Sequence, residues 1–211
     1  PGLEEMVARN VAAGRIEFTT DAELAVSHGT VIFIAVGTPS AEDGSAMLGH
    51  VLAAASTIGR YMRDHKVIVN KSTVPVGTTD RVRESVATEL HRRSANVPFA
   101  VVSNPEFLRE GIAIEDFMRP DRVIVGCNDD QALLQMRQIY APVLRHSDRM
   151  LVMDARSAEL TKYVANAMLA SRISFMNEIF TIAELGGAII ERVRLGIASD
   201  RRIGKHFLHA G

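Results

Sequence analysis

The stretch from Val31 to Pro39 reads VIFIAVGTP, and it indicates how the chain folds. Its first six residues are all apolar, which is typical of a strand that is buried on both faces of a parallel sheet. Gly37 and Pro39 then end the strand, because both residues interrupt regular structure. We therefore expect this strand to lie in the centre of a sheet.

Further apolar runs alternate with helical patterns on either side of this stretch. More strands are predicted at Val67–Val69, Phe99–Val102, Arg122–Val125 and Met150–Val152. The predicted helices are at the start of the chain, where Leu3, Met6, Val7 and Val11 share one face, and at about Leu48–Arg63, Thr79–Arg93 and Gln131–Leu144. Repeated strand–helix units predict an α/β protein with a doubly wound, parallel, Rossmann-like sheet.

The pattern changes after Asp154. Neither proline nor glycine occurs from Ser157 to Leu185, so one helix of up to about 29 residues, or ~44 Å, is predicted there. The pair Gly186-Gly187 stops it, and Ile189–Leu195 follows as another helix. We expect residues 1–154 to form a sheet domain and residues 155–211 a central helical domain. Its long helix would connect domains or pack against its twin in a homodimer.

The composition is that of an ordinary globular protein, with 47% hydrophobic residues among 211 and a formal net charge of −1. No apolar run approaches the ~18 residues that span a bilayer, and no basic excess favours nucleic acid. The seven histidines show no metal-ligand spacing, and the single cysteine, Cys127, cannot form an intrachain disulfide. We expect a cytoplasmic protein with no metal, membrane or nucleic-acid partner.

Polar residues follow three of the predicted strands, in Val36–Pro39, Lys71–Pro75 and Asn104–Glu110. Ligands of parallel sheets bind beyond the carboxyl ends of the strands, so these segments are candidates for a site. Each segment taken alone is explained better as a turn whose serine or threonine caps the next helix. Three such segments at one edge favour a site, but their spacing leaves the reaction open.

Several motifs, taken in chain order, closely resemble the UDP-glucose/GDP-mannose dehydrogenase family. They are Lys71–Thr78 (KSTVPVGT), Ser103–Gly111 (SNPEFLREG), Pro120–Val123 (PDRV) with Gly126, Glu159–Ala167 (ELTKYVANA) with Asn177-Glu178, and Arg202–Gly204 (RIG) with Phe207-Leu208. The resemblance covers nearly the whole chain, and separate motifs in the right order make it specific. Val74–Thr78 and Arg109–Gly111 look more like the UDP-glucose branch than the GDP-mannose branch.

The resemblance implies that NAD oxidises UDP-glucose to UDP-glucuronate in two hydride transfers from C6. In the family, a cysteine in a Gly-Gly-Ser-Cys segment after the Arg-Ile-Gly motif holds the intermediate, and a thioester is hydrolysed at the end. This sequence contains neither that segment nor the glycine-rich NAD turn. Cys127 follows a different strand and matches no family nucleophile, so we interpret it as a structural or surface thiol.

The resemblance also assigns catalytic roles. Lys162 and Asn166 are four residues apart on the long helix and resemble the pair that holds the C6 oxygen and stabilises negative charge on it. Glu106 and Thr73 resemble the residues that position or activate the hydrolytic water. Without the motifs, Lys162 and Asn166 would be interpreted as exposed polar residues, and Glu106 and Thr73 as helix caps after their strands, a role that Thr73 could combine with catalysis.

Binding roles follow in the same way. Phe107, Leu108 and Glu110 resemble a segment that lines the sugar nucleotide, although Phe107 fits a core position equally well. Arg202 resembles an arginine that reaches the substrate, often across a subunit interface. The expected NAD contacts are Val36, Thr38, Pro39, Thr73 and Glu110.

The ends of the chain suggest a truncated piece of such an enzyme, because it begins at Pro1 without an initiator methionine and stops at Gly211. We expect this piece to be inactive alone and to bind NAD weakly. Two alternatives stay open. The protein could act on GDP-mannose or another nucleotide sugar, or it could be a non-catalytic remnant with a dimerising or regulatory role.

Overall fold

The computed structural model describes residues 2–144 and 149–209. The chain divides into two compact units, Pro1–Lys162 and Tyr163–Gly211. The elements of the first unit are α1 (Leu3–Ala12), α2 (Ala22–His28), β1 (Val31–Ile34), α3 (Gly49–Tyr61), β2 (Lys66–Asn70), α4 (Thr78–Arg92), β3 (Phe99–Ser103), α5 (Ala113–Met118), β4 (Val123–Gly126), α6 (Asp130–Tyr140) and β5 (Met150–Met153). Helix α7 (Ala155–Gly186) begins in the first unit and continues into the second, which also contains α8 (Ile190–Ala198).

The five strands form one sheet in the order β1-β2-β3-β4-β5. The predicted α/β class with a largely parallel sheet is confirmed, since β1, β2 and β3 are parallel to one another and β4 is parallel to β5. The pairing of β3 with β4 is antiparallel, which we did not predict. The connection between them contains only α5, a helix of six residues. The whole connection is nevertheless long enough for a strand in either direction, so neither its length nor the strand pattern determines the direction of β4.

The two faces of the sheet carry separate hydrophobic cores, and β2 contributes to both. Ile68 packs with α3 and α4 on one face, whereas Val67 and Val69 pack with α6 on the other. Every residue of β2 is buried. The expectation of a central strand at Val31–Val36 was wrong for the described residues, because β1 pairs with β2 alone and Phe33 is 37% exposed.

Two glycines permit close approaches that position the helices. A Cβ atom on Gly59 would lie 2.8 Å from the carbonyl oxygen of Val86, so α3 and α4 pack closely only because this position lacks a side chain. A Cβ atom on Gly126 would lie 2.7 Å from the Cα atom of Ala155 and equally close to the Cβ of Ala158. The start of α7 therefore lies directly against the end of β4.

The second unit consists of the later part of α7, helix α8 and the segment that follows it. Helix α7 ends at Gly186, and the next residue, Gly187, adopts a φ of +67°, which favours glycine. Arg172 donates a hydrogen bond of 2.7 Å to the carbonyl oxygen of Ile203 and so holds the segment after α8. Within the described ranges, no helix has both the length and the apolar character that crossing a bilayer requires.

Candidate active site

The segments that follow β1, β2 and β3 are hydrogen-bonded to one another at the carboxyl edge of the sheet. The hydroxyl of Thr38 donates to the carbonyl oxygen of Thr73 at 2.8 Å. The hydroxyl of Ser72 donates to the carbonyl oxygen of Val36 at 2.7 Å. The backbone N–H of Asn104 donates to the carbonyl oxygen of Asn70 at 2.8 Å. Because the three strands are parallel, all three segments leave the sheet at the same edge. We call these segments, Val36–Pro39, Lys71–Pro75 and Asn104–Glu110, together the edge site.

An ion pair lies at this edge. The Nζ atom of Lys162 donates to Oε1 of Glu106 at 3.0 Å, and the Lys162 side chain is only 9% exposed. The second carboxylate oxygen of Glu106 accepts the backbone N–H of Leu108 at 2.7 Å. The ring of Phe107 lies 5.2 Å from Nζ of Lys162 and 4.0 Å from the guanidinium carbon of Arg122. A carboxylate, a buried ammonium group and an aromatic ring thus converge where the sequence predicted a site.

A second cluster, beside the ion pair, was not singled out from the sequence. The Nζ atom of Lys71 lies 3.2 Å from Oδ1 of Asn104 and 3.1 Å from the hydroxyl of Tyr140. That hydroxyl also donates to Oδ1 of Asn104 at 2.6 Å, and the amide nitrogen of Asn104 donates to the carbonyl oxygen of Ile124 at 2.7 Å. Lys71 lies in the family motif Lys71–Thr78, and Asn104 lies in the motif Ser103–Gly111. Nothing in the sequence pointed to Tyr140.

Burial changes the pKa of two members of this cluster. The pKa of Lys71 is lowered to about 8, mainly by burial; the negative charge of Glu106 opposes this change, and the positive charge of Lys162 adds a smaller decrease. Burial also raises the pKa of Tyr140 to about 12, against a smaller opposing effect of its hydrogen bond with Asn104. The Tyr140 hydroxyl is therefore neutral at physiological pH, whereas the Lys71 amine titrates close to it.

Glu159 is the other site component that the sequence did not assign. Its side chain is buried on the first turns of α7, and its two oxygens accept the backbone N–H of Gly77 at 2.6 Å and that of Thr79 at 2.7 Å. The Thr79 hydroxyl donates to the same carboxylate at 2.6 Å. These bonds satisfy the free N–H groups at the start of α4, and they join the segment after β2 to the helix that carries Lys162.

The remaining predicted site residues are placed as follows. Val36, Thr38 and Thr73 are half-buried in the edge site, Pro39 is exposed beside them, and Leu108 and Glu110 are exposed on the segment after Glu106. Asn166 and Arg202 belong to the second unit, and both are exposed. Arg202 pairs with Asp200 at 2.6 Å. Roles for Asn166 and Arg202 at the edge site therefore stay predictions.

The edge site has room for a ligand beside its first segment. Apart from Gly37 and its two chain neighbours, no heavy atom lies within 4 Å of the position that a Cβ on Gly37 would take, so the space beside this backbone is open. Half-buried apolar and hydroxyl groups of this kind fit the nicotinamide and ribose of a dinucleotide. In the part of the chain that the structure describes, no group of three or more His, Cys, Asp or Glu side chains could hold a metal ion.

Cys127 lies just after β4, with 8% of its surface exposed. Its sulfur accepts the backbone N–H of Asp129 at 3.3 Å, and burial raises the pKa of the thiol. A nucleophilic thiol requires the opposite, because the thiolate is the reactive form. The structure thus favours a structural role for Cys127.

Comparison with known proteins gives two family matches that together cover most of the chain. Residues 1–144 match the NAD binding domain of the UDP-glucose/GDP-mannose dehydrogenase family, and residues 156–211 match the central domain of the same family.

Individual relatives agree with these matches. The UDP-glucose 6-dehydrogenase of Pseudomonas aeruginosa is 52% identical over 211 residues, which are 100% of this chain and 47% of that protein. The structure of a UDP-glucose dehydrogenase from Pyrobaculum islandicum superposes with a TM-score of 0.90 at 45% identity and covers 100% of this chain and 48% of that one. The structure of a ternary complex of GDP-mannose dehydrogenase from Pseudomonas aeruginosa superposes with a TM-score of 0.85 at 33% identity. This superposition covers 96% of this chain and 46% of that one. The chain spans about half the length of the curated relatives it matches.

Proposed function

The chain belongs to the UDP-glucose/GDP-mannose dehydrogenase family, and we propose that the protein oxidises UDP-glucose to UDP-glucuronate with NAD. The observation that supports this most directly is the Glu106–Lys162 ion pair beside Phe107, at the carboxyl edge of β1–β3. We further propose that residues 1–154 belong to the NAD-binding domain and that residues 155–211 belong to the central domain. The cytoplasm is the proposed location.

In the proposed reaction, Lys162 holds the C6 oxygen of the sugar. Its ammonium group is largely buried, and electrostatic stabilisation is stronger where water is excluded. A fixed positive charge near that oxygen stabilises negative charge as the alcohol loses its proton and its hydride. Asn166, one helical turn later on α7, would donate a second hydrogen bond to the same oxygen.

Glu106 is the proposed base for the hydrolytic step. One of its oxygens is fixed by Leu108 and the other by Lys162, so the carboxylate has a defined orientation. Removing a proton from water is the task of a carboxylate in such a position. Thr73, half-buried beside Thr38, would orient that water.

For the ligands, we propose that Val36, Thr38, Pro39, Thr73 and Glu110 contact NAD, which supplies the hydride acceptor. Phe107, Leu108 and Glu110 would line the sugar nucleotide, and Arg202 would reach it. The open backbone at Gly37 supports the proposed NAD contacts of Val36 and Thr38.

The proposed quaternary structure is a homodimer through α7. Met168, Phe175 and Ile182 are exposed and follow one another at intervals of seven residues, so they lie along one face of this helix. An exposed apolar stripe of this kind is typical of a surface that another helix covers.

The test is NADH formation by the purified whole protein, rather than by residues 1–211 alone, with UDP-glucose, GDP-mannose and UDP-N-acetylmannosamine in separate assays. We expect UDP-glucose to be preferred. With Glu106→Gln, an initial burst of NADH should form at the normal rate, because hydride transfer does not need this base. Steady-state turnover should then fall roughly 100-fold or more, because the hydrolytic step has lost its base. With Lys162→Met, the first hydride transfer itself should slow.

Glu23→Gln is the matched control, because Glu23 forms an exposed ion pair with Arg63 at 2.6 Å on the surface of the same unit. This variant should turn over like the unaltered protein. Preference for GDP-mannose, or normal turnover by both Glu106→Gln and Lys162→Met, would contradict the proposal.

A further inference from the structure

Lys71 differs from the other lysines of the first unit in having no carboxylate partner among the described residues. The first unit contains three lysines, of which Lys66 pairs with Asp64 at 2.7 Å and Lys162 pairs with Glu106 at 3.0 Å. Lys71 is held instead by two neutral oxygens, those of Asn104 and Tyr140. A half-buried cation without a counter-ion is costly to maintain, so its position calls for an explanation.

The contacts of Lys71 join several elements at the edge site. Lys71 follows β2, Asn104 follows β3, Tyr140 ends α6, and Asn104 bonds to Ile124 in β4. Asn104 is 1% exposed and lies two residues before Glu106, with Pro105 between them. Since proline fixes its own backbone φ angle, the position of Asn104 largely determines where the chain presents Glu106.

Lys71 also interacts electrostatically with the ion pair. The charges of Glu106 and Lys162 both act on the Lys71 amine, the first favouring its protonated form and the second disfavouring it. The Glu106 carboxylate therefore interacts with two ammonium groups, those of Lys71 and Lys162. With all three groups charged, the cluster carries a net charge of about +1, which suits a reaction that develops negative charge on an oxygen.

We propose that Lys71 is a positioning residue of the edge site, which fixes the segment carrying Glu106 through Asn104 and Tyr140 and supplies a second positive charge beside the Glu106 carboxylate. This inference rests on the proposed dehydrogenase function for its catalytic consequence. Its structural part, the coupling between Lys71 and the ion pair, does not depend on that function.

The coupling is tested by measuring the titration of Lys71 directly. The chain has only four lysines, Lys66, Lys71, Lys162 and Lys205, so methylation with ¹³C-formaldehyde yields a simple NMR spectrum that single Lys→Arg changes assign. We expect the Lys71 signal to titrate with a midpoint of about 8. Glu106→Gln should lower this midpoint, and Lys162→Met should raise it. A midpoint that neither variant moves would overturn the inference.

The catalytic consequence is tested in the whole protein with Lys71→Met, Lys71→Arg and Tyr140→Phe. We expect Lys71→Met to lower kcat roughly tenfold or more with little change in KM, and Lys71→Arg to recover much of the loss because it retains the charge. Tyr140→Phe keeps the ring in the core but removes one oxygen that holds Lys71, so it should give an intermediate kcat. Lys66→Arg, at the opposite end of β2, is the matched control and should leave kcat unchanged.

The two possible failures are distinguishable. If the unaltered whole protein forms no NADH from any nucleotide sugar while the NMR coupling is observed, the proposed function is wrong and the coupling stands. If the unaltered protein is active and a folded Lys71→Met variant has the same kcat at every pH, the inference about Lys71 is wrong. Circular dichroism and the thermal midpoint of each variant establish that it is folded.

Discussion

The carboxylate of Glu159 accepts both the backbone N–H and the hydroxyl of Thr79, at 2.7 and 2.6 Å. Together with the N–H of Gly77, these donors surround a side chain that is 2% exposed. Because Glu159 precedes Lys162 by one turn of α7, the bond to Thr79 fixes the helix that carries the proposed catalytic ammonium group.

Replacing this carboxylate should destabilise the fold. We expect Glu159→Gln to lower the free energy of unfolding by about 2 kcal/mol, because an amide retains one acceptor oxygen but directs N–H groups at the other donor. Urea denaturation measures this change. Glu84→Gln, on the exposed face of α4, should be nearly neutral, and a loss as small as that of the control would show that Glu159 does not stabilise the fold.

A side chain at Gly126 should be poorly tolerated. Gly126→Ala places a methyl group 2.7 Å from Ala155 and Ala158, so we expect a loss of about 3 kcal/mol as α7 is displaced. Gly49→Ala is the control, since no heavy atom lies within 4 Å of the new methyl group and alanine favours the helix. Thermal unfolding of both variants tests the prediction, and equal midpoints would contradict it.

The titration of Lys71 should appear in the pH dependence of stability. Its pKa is about 8 in the folded chain and near its ordinary value of 10.5 in the unfolded chain. Between these values the unfolded chain binds more protons, so the free energy of unfolding rises with pH. From about pH 7.5 to about pH 9.5 the gain should be about 2 kcal/mol, and it should be absent in Lys71→Met.

The measurements stay below pH 10, the ordinary pKa of tyrosine, because Tyr140 in the folded chain has its pKa raised to about 12. Above pH 10, the titration of Tyr140 would therefore lower the free energy of unfolding as pH rises. If the unaltered chain and Lys71→Met show the same pH dependence over the series, Lys71 does not titrate as described.

Cys127 should react slowly in the folded chain. Burial and a raised pKa reduce the thiolate fraction, so Ellman's reagent should modify it at least 100-fold more slowly than in the urea-unfolded chain. Because this is the only cysteine in the sequence, the released thionitrobenzoate reports on it alone. We also expect Cys127→Ser to leave dehydrogenase turnover unchanged in the whole protein. A fast reaction in the folded state, or loss of turnover, would contradict the structural role.

The apolar stripe on α7 should control self-association. Phe175 is 58% exposed at the middle of the stripe, and Phe175→Glu would place a charge in the proposed interface. Sedimentation should show a dimer for the unaltered protein and a monomer for this variant. Glu178→Gln, on the same helix, is the control. A monomer in both cases would remove the support for a homodimer.

The sequence predicted the strands and longer helices because their apolar residues follow regular periods. The strand at Phe99–Val102 extends by one residue in the structure, to Ser103, and the long helix reaches Ala155–Gly186 rather than Ser157–Leu185. Two short helices, α2 and α5, were missed, since seven and six residues are too few for a helical period to be recognised. The direction of β4 was missed because the pattern of apolar residues in a strand does not show whether the strand runs parallel or antiparallel to its neighbour.

For the candidate site, motifs pointed to Glu106 and Lys162 but could not show their contact. That contact joins residues 56 positions apart and depends on the placement of α7. Tyr140 was missed because a tyrosine near the end of a predicted helix resembles any core residue. Only the fold brings its hydroxyl to Lys71 and Asn104.

The sheet contains a seam. A single bridge, between Ser103 and Gly126, joins β3 to β4, whereas the other neighbouring strands are paired over four or five residues. The hydrogen bond from the Asn104 side chain to Ile124 also joins the end of β3 to β4. Asn104 is the residue that holds Lys71 as well. On gentle heating, β3 and β4 should separate first, so the turnover proposed for the whole protein should be lost at a temperature where the helices still give their full circular dichroism signal.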